Sequence, residues 1–379
     1  MRHLVLATVI TAATAASADA QLPAFKYPEP ASGTYRVLND VQYGTSGTEP
    51  LRMDVYRPAT GGRAPTLIFF NRASGAERAN SFYMSWARIA ASKGVTAIVP
   101  DLRAATIVQD FVALLQYLGR TPAEDTAIDP AAVAVYAGSG NVSNALPIVM
   151  DPRSTQIKSA VMYYGVADLK AFRPDLPLLY VRAGLDRPPL NRVIDALVAR
   201  ALSENAPVTL LNHAGGRHGF EMANDDDATR RVIDETIAFV RETTTAAYQA
   251  AIRQGLAEAT AAGHVTAGRP KEAATAYALL VQARPEDASL RLAYGEALLS
   301  NAEFATACTE FEKLKGKGLG YRDLGLPAAR ACLQKGDVDA AIAWLKSIPQ
   351  RFLPPSVQDE PVFAAIRDRE DFKALFPSR

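Results

Sequence analysis

The residues with most chemical promise are a serine, a histidine and an aspartate spread over eighty positions. Ser139 stands in Ala137-Gly138-Ser139-Gly140-Asn141, inside the stretch AVYAGSGNVSNA. The stretch reads as a strand, a tight turn of small residues, then a helix. A serine in such a turn must take a strained backbone, and its neighbours must be small to avoid collision. Its oxygen then stands above the sheet at a helix N-terminus, where free N–H groups and the helix dipole favour a developing oxyanion. The hydroxyl still needs a base to take its proton. The chain has four histidines. His3 lies at the extreme N-terminus, His264 among C-terminal helices, and His213 at the end of an expected strand, a setting for a structural role. His218, in HAGGRHGFE, has glycine-rich flanks that let its ring swing toward Ser139, and it is assigned as base. A base needs a partner that fixes its tautomer and stabilises the imidazolium. Asp186, in YVRAGLDRPP just past an expected strand, takes that role. The rivals Asp225, Asp226 and Asp227 read as the N-cap of a helix.

The elements that must bring these groups together alternate between β-type runs and amphipathic helices over residues 35–243. Strands are expected at Tyr35–Gln42, Leu51–Tyr56, Thr66–Asn71, Val95–Pro100, Val133–Tyr136, Ile157–Tyr164, Leu178–Arg182 and Val208–Asn212. Helices are expected near Arg78–Lys93, Ile107–Leu118, Asn191–Ser203 and Asp227–Glu242. Runs such as TLIFF, TAIVP and PLLYV suit strands buried on both faces of a parallel sheet. The rhythm predicts a doubly wound α/β domain, whose site residues gather at the C-terminal ends of its strands. Gly44-Thr45-Ser46-Gly47 reads as a hairpin turn.

After about residue 244 the strand pattern stops. AGRPKEAATAY, SNAEFATACTEF and QKGDVDAAIAWL superpose with Ala273, Ala307 and Ala341 spaced by 34, and Tyr277, Phe311 and Leu345 lie four residues on, along the same helical face. Residues 248–352 resemble tetratricopeptide repeats, with a small residue where paired helices touch and a bulky one beside it. The tail EPVFAAIRDREDFKALF reads as a capping helix or two. Cys308 and Cys332, the two cysteines, fall here; they read as small buried side chains on helices, with a bridge as the alternative that an oxidising compartment permits. At the other end, MRHLVLATVITAATAASADAQ has the pattern of a secretory signal, with Arg2, an apolar run and the A-x-A site Ala18-Asp19-Ala20. Periplasmic or secreted location, with cleavage after Ala20, is the expectation. The domains are then residues 1–20, signal; 21–244, α/β; and 245–379, helical repeats.

The order Ser139, Asp186, His218 and the segments LRMDVYRP, TLIFFN, GVTAIVPDLR, AIDPAAVAVYAGSGN, LLYVRAGLDRPP and GGRHGF resemble the α/β-hydrolase superfamily, of the dienelactone-hydrolase-like or secreted serine-esterase kind. The resemblance implies a mostly parallel eight-stranded sheet with helices on both faces, followed here by the all-α repeats. It implies an acyl-enzyme mechanism with Ser139 as nucleophile, His218 as base and Asp186 as its orienter. Three departures stand out. Dienelactone hydrolases proper use cysteine, and the family turn G-x-S-x-G here begins with Ala137 and ends in Asn141. Where related esterases place His-Gly after the third strand, this chain has Asn71-Arg72-Ala73-Ser74-Gly75. Backbone N–H groups at Gly140 and Arg72 are the expected oxyanion donors. The Arg72 side chain either enters the cleft to bind an acidic group or stays solvated at its rim. Asn71 and Asn141 are the expected substrate contacts.

The net charge of +1 in 379 residues gives no basis for a nucleic-acid partner. No segment beyond the N-terminus is long and apolar enough to span a membrane. No ligand-spaced cluster calls for a metal, AGSGN lacks the lysine of a phosphate-binding loop, and no cofactor is expected. The short stretch VADLKAFRPDLP leaves little room for a lid, which favours soluble, modest-sized esters. The competing expectation is a weak or inactive hydrolase-fold scaffold whose helical repeats bind a protein or peptide partner.

Overall fold

The structure is a computed structural model that describes residues 25–71, 77–120 and 126–376. The proposed signal, residues 1–20, and the loop carrying Arg72 lie outside the described residues. The chain divides into two compact units between Ala250 and Ala251.

The first unit is built on strands β1 (Tyr35–Ser46), β2 (Glu49–Pro58), β3 (Ala64–Phe69), β4 (Thr96–Pro100), β5 (Ile128–Gly138), β6 (Ile157–Tyr163), β7 (Leu178–Ala183) and β8 (Val208–His213). They form one sheet in the order β1-β2-β4-β3-β5-β6-β7-β8. β3 to β8 run parallel, and β2 pairs antiparallel with both β1 and β4. This is the α/β-hydrolase arrangement. Its helices are α1 (Ser81–Ser92), α2 (Ile107–Arg120), α3 (Val142–Val149), α4 (Pro188–Ser203), the single turn α5 (Phe220–Ala223) and α6 (Asp227–Thr243).

Strand side chains alternate faces, and the apolar runs therefore feed two cores. Val55, Ile68, Ile98, Val135 and Met162 pack with α2, α3 and α4. Leu67, Phe69, Val99, Tyr136, Val161 and Tyr163 pack on the other face with α1, α5 and α6. All five residues of β4 are buried, as a run without polar alternation requires.

Two expectations need correcting here. The hairpin between β1 and β2 turns at Gly47 and Thr48, while Gly44 and Thr45 sit inside β1, opposite Leu51 and Pro50. Gly47 takes φ +60°, the left-handed conformation such a turn needs. Helix α1 starts at Ser81 rather than Arg78, because the Asn80 side chain accepts from the Phe82 N–H and caps it. Arg78 instead sits in a 3-10 turn and donates to Asp40, Asp54 and Asp101 at 2.7, 2.9 and 3.0 Å. In VADLKAFRPDLP, Leu169, Phe172, Arg173 and Leu176 are buried, so much of the segment is packed into the body of the unit, in keeping with the little room expected there for a lid.

The second unit contains α8 (Pro270–Ala283), α9 (Ala288–Ser300), α10 (Phe304–Glu312), α11 (Tyr321–Gln334) and α12 (Val338–Ser347), each packed on the next; α7 (Ala246–Thr266) leads into it. Ala273, Ala307 and Ala341 are fully buried, as are Phe311 and Leu345, with Tyr277 nearly so. At Gly295 a Cβ would lie 2.5 Å from the Phe311 ring, so α9 and α10 approach as closely as they do only with glycine there. The tail consists of 3-10 turns and the single turn α13 (Glu370–Lys373), not of full capping helices. Of the two alternatives for the cysteines, the structure shows the bridge. Cys308 on α10 and Cys332 on α11 form a disulfide, their Cα atoms 4.8 Å apart. Their sequence separation of 24 gave no hint of this, since it is the packing of α10 on α11 that sets the two side chains face to face. Among the described residues no helix is long and apolar enough to cross a membrane.

Candidate active site

Ser139 follows β5 directly and opens a 3-10 turn, Ser139–Asn141, that runs into α3. Its φ is +54°, a conformation that costs a residue with a Cβ of the order of 1–2 kcal/mol. Tight packing holds it there. A Cβ on Gly165, just beyond β6, would lie 2.1 Å from the Ser139 carbonyl oxygen, so only glycine lets that segment pass. The Asn141 amide donates to the Tyr83 hydroxyl at 3.1 Å, which ties the turn to α1 and gives the larger residue a defined place.

His218 lies on the loop between β8 and α5. Its Nε2 is 2.8 Å from Ser139 Oγ, and its Nδ1 is 2.5 Å from Asp186 Oδ2. Asp186 lies between β7 and α4, its side chain 1% exposed against 37% for His218. Its other oxygen accepts the Arg187 N–H at 2.7 Å. A buried carboxylate behind a half-open imidazole fixes Nδ1 as the protonated nitrogen and leaves Nε2 free to accept from the serine. The three groups hang from the C-terminal ends of β5, β7 and β8, where parallel sheets collect their functional side chains.

The rival candidates are used elsewhere. His213 is 4% exposed, and its Nε2 lies 2.8 Å from Thr229 Oγ1. Burial holds its pKa below the ordinary imidazole value. Asp226 caps α6 by accepting from the Thr229 N–H at 2.7 Å, and Asp225 pairs with Arg230. Asn71 departs from its expected role. It is fully buried, and its amide donates to the Pro100 carbonyl at 2.8 Å, clasping the ends of β3 and β4 together rather than facing a substrate. Gly140 is the residue after Ser139 in the turn, where leading N–H groups lack intrahelical acceptors. Arg72 lies outside the described residues.

Two neighbours of this constellation escaped the sequence reading. The Tyr164 ring packs 4.7 Å from the His218 ring, centroid to centroid, and its hydroxyl donates to both oxygens of Glu221 at 2.8 and 3.1 Å. Glu221 is fully buried and also accepts from the Tyr136 hydroxyl at 3.2 Å. A glutamate three residues after the histidine in HGFE was the available signal. Nothing local marks it as buried, because its partners lie 57 and 85 residues away.

No protein-family model matches the chain, and no curated protein is significantly similar to it in sequence. Among solved structures it is similar to a Pyrobaculum calidifontis esterase, at 17% identity and a TM-score of 0.46, covering 56% of this chain and 86% of that one. A bacterial heroin esterase gives 18% and 0.44, covering 56% and 84%. Brefeldin A esterase, described as a bacterial homologue of human hormone-sensitive lipase, gives 15% and 0.47, covering 56% and 78%. At such identities and scores these likenesses add nothing to what the constellation itself supports.

Proposed function

We propose that the chain is a carboxylesterase-like serine hydrolase, of the broad kind that includes dienelactone-hydrolase-like and secreted esterases. The observation that carries the reading is the contact of 2.8 Å between Ser139 Oγ and His218 Nε2, with Asp186 behind the imidazole at 2.5 Å. In the first step Ser139 Oγ attacks the ester carbonyl carbon and its proton passes to His218 Nε2. The carbonyl π pair moves onto oxygen, which the N–H of Gly140 meets, with the backbone at Arg72 as the expected second donor. As the pair returns, the bond to the alcohol oxygen breaks, and His218 gives that oxygen its proton. Water then repeats the sequence on the acyl-serine, losing a proton to His218 and releasing the acid and Ser139. Asp186 stays ionised throughout and stabilises the imidazolium.

Extracytoplasmic location accords with the expected signal and with a disulfide at Cys308–Cys332, since such bridges persist in oxidising compartments. A second reading assigns the activity to the C-terminal unit as tetratricopeptide-like repeats that capture a peptide. It is favoured by a cavity of about 560 Å³ in that unit, lined by Ala262, Tyr277, Ala293 and Ala297.

A panel of p-nitrophenyl esters separates the two. The wild-type chain is expected to release p-nitrophenol, and Ser139→Ala to lower turnover by about 10⁴-fold or more. Absence of turnover in the wild type, or its persistence in Ser139→Ala, counts against the hydrolase.

A further inference from the structure

We propose that Glu221 is a positioning residue for His218 and acts through Tyr164, whose hydroxyl it holds and whose ring packs against the imidazole. The proposal rests on the reading of Ser139, His218 and Asp186 as the reacting groups.

A fully buried carboxyl ordinarily has a cationic partner. Among the described residues Glu221 has no salt bridge; its side chain is held by neutral donors, among them the hydroxyls of Tyr164 and Tyr136. Those phenols come from the strand ends that matter. Tyr136 stands on β5, three residues before Ser139. Tyr164 follows β6, directly before the Gly165 that packs on the Ser139 carbonyl. Glu221 itself stands three residues after His218, at the start of α5. One carboxyl thus ties the strand that presents the nucleophile to the loop that presents the base.

Tyr164 bears signs of this duty. Its φ is +32°, an uncommon value for a bulky residue, and its N–H donates to the Val181 carbonyl at 2.8 Å. Bonding both Glu221 oxygens at 2.8 and 3.1 Å fixes the direction of the hydroxyl, and with it the plane of the ring that lies 4.7 Å from the imidazole. An imidazole fixed at Nδ1 by a single carboxylate can still rock about that bond. The Tyr164 ring closes off that freedom on one side. Simple filling of the space would not need a charge, and an apolar or amide side chain of this size would avoid the cost of burying one.

The arrangement also carries a pH signature. Burial pushes the Glu221 carboxyl up to about 7, with its own backbone N–H, Tyr164 and Tyr136 partly opposing the rise. The titratable groups around it are Tyr136 on β5, Tyr163 and Tyr164 at the end of β6, Tyr83 on α1, and His218 beyond the Tyr164 ring. Burial holds Tyr136, Tyr163 and Tyr164 well above 10, so they stay neutral donors. On protonation the Glu221 carboxyl becomes a donor at one oxygen and no longer accepts from both phenols in full. The hold on Tyr164 then loosens, below about pH 7.

The test follows p-nitrophenyl butyrate hydrolysis by the full chain from about pH 5 to 9. Wild type, Ser139→Ala, Glu221→Gln and Tyr164→Phe are compared. Turnover in the wild type that Ser139→Ala abolishes secures the underlying reading; no Ser139-dependent turnover sinks that reading and the positioning role with it. Given such turnover, Glu221→Gln and Tyr164→Phe are each expected to lower kcat about 10-fold above pH 8, with KM changed by less than about 2-fold. The ratio of wild-type to Glu221→Gln kcat, about 10 above pH 8, is expected to fall toward one as Glu221 takes up its proton below about pH 7. Wild-type kcat in both variants, or a kcat ratio to Glu221→Gln that does not change with pH, overturns the positioning role alone, as does an effect confined to KM. Tyr164→Phe keeps the ring and decides the matter should Glu221→Gln fail to fold.

Discussion

Glu221 carries an energetic cost at the scale of a single residue. Its carboxyl keeps its proton to about pH 7 in the fold, while in the unfolded chain it ionises near the ordinary glutamate value of 4.5. Between those values the unfolded chain gives up a proton that the folded chain retains, so this contribution to stability falls as pH rises and is fully lost above about pH 7. The difference corresponds to about 3 kcal/mol. Glutamine has no such dependence. Measured by urea denaturation, the stability of Glu221→Gln relative to wild type is therefore expected to rise by about 3 kcal/mol between about pH 4 and 8. A difference that stays constant with pH would show that the carboxyl is not the buried acid described. Ser139, His218 and Asp186 were legible because a serine between glycines at a strand-to-helix turn, an aspartate just past a strand and a histidine in a glycine-rich loop follow one another in a known chain order. Glu221 and Tyr164 were not, since a single charged residue and a single aromatic reveal their burial only through partners far along the chain. Asn71 misled for a related reason: its position after a strand suggested a loop contact, but its amide is spent on Pro100.

Among the elements, the turn that lifts Ser139 stores strain in its backbone. At φ +54° glycine meets no penalty from a Cβ, whereas alanine keeps it. Ser139→Gly is accordingly expected to be more stable than Ser139→Ala by about 1 kcal/mol in urea denaturation, although neither retains the nucleophile. Equal stability would mean that the turn relaxes without the hydroxyl. Strands were readable as continuous apolar runs, because a sheet covered on both faces demands them. Their ends were less so. The start of α1 depended on the cap at Asn80 and on Arg78 being drawn to three aspartates from other parts of the chain. Single-turn pieces such as α5 and the 3-10 turn at Ser139 are too short to show a period.

For the whole molecule, the sequence period of 34 announced a stack of helices, and the buried positions Ala273, Ala307 and Ala341 follow it. Pairing of Cys308 with Cys332 was hidden, since it depends on the packing of two helices rather than on any local pattern. The central claim is that residues 139, 186 and 218 act together within the intact chain. Reaction of the full-length protein with a fluorophosphonate, followed by intact mass and peptide mapping, tests it most directly. One adduct is expected, on Ser139, formed quickly in the wild type and slowed by about 10³–10⁴-fold in Asp186→Asn. An unmodified Ser139, or labelling at the same rate without Asp186, would contradict it.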